Sequence, residues 1–442
     1  MPGKSRRTLV AGCVGLFVEW FDFSIYALSV PVLASHFFPS EHRLASLLAT
    51  FATFAVAFVA RPIGGAVFGA LGDRRGRRFT LTLVVTTMGC ATLAIGLVPT
   101  YATLGVAAPI LLVLFRLVQG FSAGGETAGA LSFLAEHAPP ARRAYWVSAG
   151  VAFNVIPTIV AAAAVTGTMG LVGQQGYEDW GWRIPFLLGG IFGFVGLLLR
   201  RNLDESPEFA QARRDGLTTR TPIRDSVRRH PRAMLLVFGL SALNGLAFYV
   251  LAAFAPTAIV EYGHMSRQQA VVANMIGLAF TAALIPLVGK LADRYGRKPL
   301  LYLGAGAIAL TSVPALLLMF GRSVVAVTLG QCLLGVGIAV FATVYGVVQV
   351  ELFPPAIRYT AVSLSYNMAY VIFAGTAPFV GTLLISEFDS AVAPACYLAV
   401  IALAALVVSR FVPETLPGAG PAAPQRTESL PSARASHSTP SV

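Results

Sequence analysis

Long apolar runs recur along the chain, separated by short polar breaks. They centre near residues 9–35, 45–71, 79–99, 104–135, 145–171, 184–203, 233–260, 268–291, 299–320, 324–352, 360–386 and 391–412. A helix rises about 1.5 Å per residue, so roughly 20 apolar residues cross the ~30 Å hydrocarbon core of a bilayer. Each run therefore predicts one transmembrane helix, and the chain an all-α integral membrane protein with twelve of them. The run at 104–135 is long enough to be divided, and its glycines and Glu126 mark the lower half. The first run follows a basic start, as a signal peptide would. It continues to about Phe38, too long for such a peptide, and is expected to stay as the first helix.

The polar breaks carry a repeat. Asp73-Arg74-Arg75-Gly76-Arg77 follows the second run, and Asp293-Arg294-Tyr295-Gly296-Arg297 follows the eighth. Glu136 and Arg142 follow the fourth, Glu351 and Arg358 the tenth; Glu205 and Glu414 close the sixth and twelfth. The offsets from Asp73 to Asp293, Glu136 to Glu351 and Glu205 to Glu414 are 220, 215 and 209 residues. Two pseudo-symmetric six-helix halves follow, an architecture of transporters that bind substrate near the midplane between the halves. The divisions expected are an N-terminal bundle over 1–203, a basic solvated linker over 204–232, a C-terminal bundle over 233–415 and a disordered tail rich in Ser, Pro and Ala over 416–442.

Charge fixes the expected orientation. Of 32 Lys and Arg, 26 fall in the breaks on the side of the N-terminus, while Arg43, Arg183, Arg267 and Arg322 fall on the other. This bias places both termini in the cytoplasm. The net charge of +12 therefore reflects topology rather than a nucleic-acid-binding face. Only 12% of residues are charged and 56% are hydrophobic, about half the charge of a soluble domain. The four cysteines lie in or near apolar runs and suggest packing. No nucleophile–base pair or metal-ligand spacing emerges. The expectation is a carrier rather than an enzyme, needing a proton gradient and no cofactor or metal.

The repeated loops place acids beside arginines at helix ends, where bidentate pairs can lock the halves together. Asp73, Arg74, Arg77, Glu136 and Arg142 in one half, with Asp293, Arg294, Arg297, Glu351 and Arg358 in the other, are the candidate cytoplasmic gate. Four further charges sit near mid-span: Glu19, Asp22, Arg61 and Arg116. Each costs roughly 2.5–3.5 kcal/mol at the bilayer centre on insertion scales, which makes it a functional candidate as well as a packing pair. Glu19, Asp22 and Glu126 are the candidate proton carriers, with no choice among them. Arg116 and Arg61 could hold an anionic group. Tyr26 shares a helix face with the two acids, and Gln119 with Glu126. From the other half, Asn244, Tyr249, Tyr366 and Asn367 offer a neutral, partly aromatic wall.

The strings Glu19-Trp-Phe-Asp-Phe23, Arg61-Pro-Ile-Gly-Gly65, Gly72-Asp-Arg-Arg-Gly-Arg77, Arg116-Leu-Val-Gln-Gly-Phe-Ser-Ala-Gly-Gly-Glu126 and Trp180-Gly-Trp-Arg-Ile-Pro-Phe186 resemble the major facilitator superfamily. Within it, they resemble the metabolite–proton symporter family. The resemblance implies the major facilitator fold and proton-coupled uptake of small polar metabolites. With two arginines at mid-span, the expected substrate is a small organic acid, imported with protons by alternating access. A zwitterionic osmolyte such as proline or a betaine, and a proton-coupled drug antiport, are the alternatives. The expected partners are a small molecule, protons and the lipid of a cell (inner) membrane, with no nucleic acid and the monomer as the working unit.

Overall fold

The computed structural model describes residues 2–39, 43–201, 204–216, 218–219, 221–263, 265–390 and 392–416. Nearly all of the tail expected over 416–442 lies outside the described residues. Among the described residues there is no strand, and 12 helices are long and apolar enough to cross a membrane. In order they are Thr8–Phe37, Val56–Arg75, Arg77–Leu97, Ala107–His137, Pro140–Gly181, Arg183–Arg201, Pro231–Phe254, Gln269–Tyr295, Lys298–Met319, Val324–Glu351, Arg358–Phe388 and Ala393–Arg410. The fourth span is not divided; only a short helix, Tyr101–Leu104, precedes it. Large apolar side chains point outward, with Leu171 88% and Leu310 80% exposed. An apolar exterior of this kind suits hydrocarbon and not water.

Small residues set the packing. A Cβ on Gly120 would fall 2.1 Å from the Ala57 carbonyl oxygen, and one on Gly124 2.1 Å from that of Arg61. Glycines four residues apart let the second and fourth spans touch backbone to backbone. That contact holds Arg61 at its height in the core.

Three spans are interrupted where the halves face each other. The fifth breaks between Ala152 and Ile156, the seventh has a wide π-type turn at Val250–Phe254, and the eleventh has one at Tyr370–Ala374. Such turns collect at functional sites because they free backbone groups and re-aim side chains. Among the described residues, the linker is more than a solvated strand. Ser206 caps a helix, Pro207–Arg214, by accepting from Phe209 N at 3.1 Å. Phe209 and Ala212, three apart on its inner face, are buried against the bundle. A second helix, Pro222–Arg229, follows.

Candidate functional site

A cavity of about 30 Å³ lies between the halves at the level of these breaks, room for one or two water molecules. Five aromatic side chains, Trp20, Phe248, Tyr345, Tyr366 and Tyr370, stand in its wall. Trp20 meets Phe248 edge-on at 5.1 Å between centroids, and Tyr366 lies 4.0 Å from Tyr370. Tyr345 and Asn244 are also on the C-terminal side, with Asn244 Nδ2 donating to Tyr370 Oη at 2.8 Å. Trp20 Nε1, Asn154 Oδ1 and Tyr366 Oη are buried without a hydrogen-bond partner. Of the expected substrate residues, Asn244 and Tyr366 line this space. Tyr249 stands behind it, 6.2 Å from Trp20 and 6.4 Å from Tyr370. Arg61, Arg116, Tyr26, Gln119 and Asn367 are not in its lining. Trp20, Asn154, Phe248 and Tyr370 were not singled out from sequence, because they come from four separate spans and each alone looks like packing.

The charges at mid-span form two networks rather than one cluster. Arg61 Nη2 meets Glu19 Oε1 at 2.5 Å, and Thr127 Oγ1 donates to Glu19 Oε2 at 3.0 Å. Arg61 Nε also reaches Asn367 Oδ1 at 3.3 Å, while Asn367 Nδ2 donates to the Gly124 carbonyl at 2.7 Å. Asn367 thus joins the eleventh span to the second and fourth. In the second network, Arg116 Nη1 donates to Gln119 Oε1 at 2.8 Å, and Gln119 Nε2 to Thr92 Oγ1 at 2.7 Å. The Thr92 hydroxyl donates in turn to Asp22 Oδ2. The Arg116 guanidinium lies 4.1 Å above the Tyr26 ring, and Tyr26 Oη reaches the Thr50 carbonyl at 3.3 Å. Asp22 Oδ1 is buried and accepts no hydrogen bond.

Glu126 belongs to neither network. Arg200 grips both its oxygens, at 2.5 and 2.9 Å, and also donates to the carbonyls of Ala11, Gly12 and Leu81. The pair binds four spans together. The sequence reading puts Arg200 at the end of the sixth run, among the charges expected on the cytoplasmic side; these five acceptors instead let it be buried, its side chain only 1% exposed.

At the arginine-rich end the halves clasp each other twice, with approximate two-fold symmetry. Asp73 accepts from Thr360 N at 2.8 Å and Tyr359 N at 3.3 Å, at the first turn of the eleventh span. Asp293 accepts from Ala144 N and Tyr145 N, both at 2.9 Å, at the first turn of the fifth helix segment Arg143–Ala152. A carboxylate at a helix start satisfies otherwise unpaired N–H groups and meets the positive end of the dipole. Arg358 Nη1 crosses to Glu136 at 2.8 Å, and Arg143 Nη1 to Glu351 at 3.9 Å. Within the halves, Arg77 pairs with Asp73 and Glu136, and Arg297 with Asp293 and Glu351. Gly76 and Gly296 make the intervening turns at φ 112° and 98°. Glu205 Oε1 accepts from Arg77 N, as Glu414 Oε1 does from Arg297 N, both at 2.9 Å. Burial would raise the Glu414 carboxyl, but four backbone N–H groups outweigh it and hold the group below its usual range.

Two details depart from the sequence expectation. Arg74, Arg142 and Arg294 are exposed at the rim. The cross-half arginine of the first half is Arg143, which is seven residues after Glu136, as Arg358 is after Glu351. The repeat offset therefore carried this signal. The linker adds Glu208, which reaches both Arg143 and Arg358. We expect Arg143→Gln to lower the rate of uptake several-fold more than Arg142→Gln, measured as initial rates at matched expression. Equal losses would remove the distinction.

The profile of the Major Facilitator Superfamily matches residues 12–329 and 237–439. The "Glycine betaine/proline/ectoine/pipecolic acid transporter OusA" of Dickeya dadantii is 35% identical over 96% of this chain and 87% of its own length. The "Proline/betaine transporter" of Escherichia coli is 34% identical over 95% and 87%. The proton:xylose symporter XylE superposes with a TM-score of 0.80 at 18% identity, over 94% of this chain and 97% of that one.

Proposed function

The chain belongs to the Major Facilitator Superfamily, and we propose that it is a proton-coupled symporter of a small zwitterion such as proline or a betaine. An organic acid, expected from the two arginines at mid-span, is overturned by the relatives. Those at 34–35% identity over nearly the whole chain are named for proline and betaines. Physically, that expectation treated Arg61 and Arg116 as faces of the binding space. Arg61 instead serves Glu19 and Asn367, and Arg116 serves Gln119 and the Tyr26 ring.

The observation that carries the zwitterion is the aromatic wall of the central cavity. Aromatic faces attract quaternary ammonium groups, each by about 0.5–2 kcal/mol. The partnerless Trp20 Nε1 and Tyr366 Oη are donors for the carboxylate at the other end of the same molecule. Cavity volume limits this state to one or two waters, so the aromatic side chains must part as substrate enters. In alternating access, the clasps at the arginine-rich end, which we place in the cytoplasm with both termini, hold while the opposite end admits substrate. Asp22 is our choice for the proton carrier. Glu19 and Glu126 each pair directly with a guanidinium, whereas Asp22 accepts from a threonine hydroxyl and has Arg116 near it without a direct ion pair among the described residues.

Purified protein in proteoliposomes given an acidic exterior should accumulate glycine betaine or proline. Accumulation of citrate or 2-oxoglutarate with neither zwitterion would sink the proposal. Trp20→Ala should raise the KM for glycine betaine about tenfold, in keeping with the loss of one aromatic face. An unchanged KM would remove Trp20 from the site.

A further inference from the structure

A second cavity, about 520 Å³, opens where the fifth and eighth spans cross at the arginine-rich end, beside the clasp that Asp293 makes. Arg142 lines it from one half; Lys290 and Arg294 line it from the other. All three are exposed, and none forms an ion pair among the described residues. The one acid in the lining, Asp293, is committed to Ala144 N, Tyr145 N and Arg297. The cavity thus presents three positive charges beside one acid whose oxygens are already engaged.

Topology alone does not account for it. The fold repeats this crossing between the second and eleventh spans. There the offsets of 220 and 215 residues put Ala70 opposite Lys290 and Ile357 opposite Arg142. Arg74 stands opposite Arg294, so one of the two equivalent places carries three cations and the other only one. The surface beside it is apolar: on the eighth span Leu287 and Leu291 are 55% and 43% exposed, and Arg294 falls between them and Lys290 around the helix. A phosphate in the cavity would leave acyl chains free to run along Leu291 and Leu287 toward the middle of the span.

We propose that this cavity is a binding site for the phosphate of an anionic phospholipid. A phosphate diester takes hydrogen bonds from guanidinium and ammonium groups together, and basic pockets between membrane helices select such headgroups. Because its cations come from both halves, the bound headgroup bridges them and favours the clasped state. The lipid would therefore tune the carrier's conformational balance without touching the substrate cavity.

The test is the affinity of full-length protein for phosphatidylglycerol in phosphatidylcholine nanodiscs, followed by native mass spectrometry. Each cation near the lipid surface contributes about a fivefold factor. R142Q/K290Q/R294Q should then weaken retention about a hundredfold, while the exposed-linker control R213Q/R214Q/R228Q leaves it unchanged. Thermal unfolding in phosphatidylcholine alone checks that the triple variant is folded. If it is not, K290Q alone, whose ammonium meets only the Tyr145 ring at 5.6 Å, should weaken retention about fivefold. Equal retention by wild type and the cavity variant, or equal loss in the linker control, overturns the site. Stabilisation by inorganic phosphate as strong as that by phosphatidylglycerol would assign the cavity to a soluble anion and overturn the lipid.

Discussion

An Asp22→Asn carrier should exchange substrate across the membrane yet fail to concentrate it. Asp22 is the one acid among the three candidates with no direct ion pair among the described residues, Arg116 acting on it from farther away. Its Oδ2 accepts from Thr92, and its Oδ1 faces no donor. An ionised carboxylate buried in that way carries a large desolvation cost, and a proton on Oδ1 removes it. Through Thr92 and Gln119 the group is linked to Arg116, so protonation changes the partner set of a guanidinium in the first half of the fourth span. Asparagine fills the same volume and accepts from Thr92 but cannot release a proton. Net uptake against a gradient should therefore fall by two orders of magnitude or more, with counterflow of labelled glycine betaine retained to within a few-fold. Retained accumulation would move proton coupling to another residue. Loss of counterflow as well would make Asp22 a structural group.

The second large effect is expected at the clasps. Asp73→Asn and Asp293→Asn each replace a carboxylate that caps a helix of the opposite half. Hydrogen bonds to a charged group are worth about 1.5–3 kcal/mol, and an asparagine NH₂ turned toward two backbone N–H groups offers repulsion instead. Each variant should shift the balance between clasped and open forms by roughly ten- to a hundredfold. Spin labels on the two halves at this end should report a longer distance, and the uptake rate should fall while the protein still inserts. The two variants should act comparably, because each aspartate accepts from two backbone N–H groups at a helix start of the opposite half. A wild-type distance distribution in Asp73→Asn would show that the cap does not hold the halves.

Much of this was legible in sequence because lipid imposes a simple rule: an apolar run of the right length is a span. The clasps were legible because they repeat. What escaped was direction around each helix. Glu19 and Asp22 lie one turn apart on the first span, but three residues separate them by about 60° around it. Glu19 therefore turns to Arg61 and Thr127, and Asp22 to Thr92. One residue displaces a side chain by about 100°, which is the difference between exposed Arg142 and Arg143 in the clasp. Arg200 escaped for another reason. An arginine ending an apolar run looks like a loop residue, and only the fold brings three carbonyls and Glu126 around it. The aromatic side chains of the cavity come from the first, seventh, tenth and eleventh spans, so no local pattern announces it.

The clasps also bear on ancestry. Asp73 reaches the helix start at Tyr359 and Thr360, and Asp293 reaches the one at Ala144 and Tyr145. The same patch of each half meets the same patch of the other, which is the definition of an isologous contact. A half-length protein bearing one such aspartate and one such helix start could have closed against a second copy of itself with both bonds made. Fusion would then have freed the two copies to diverge, one keeping the buried charges and the other the aromatic wall.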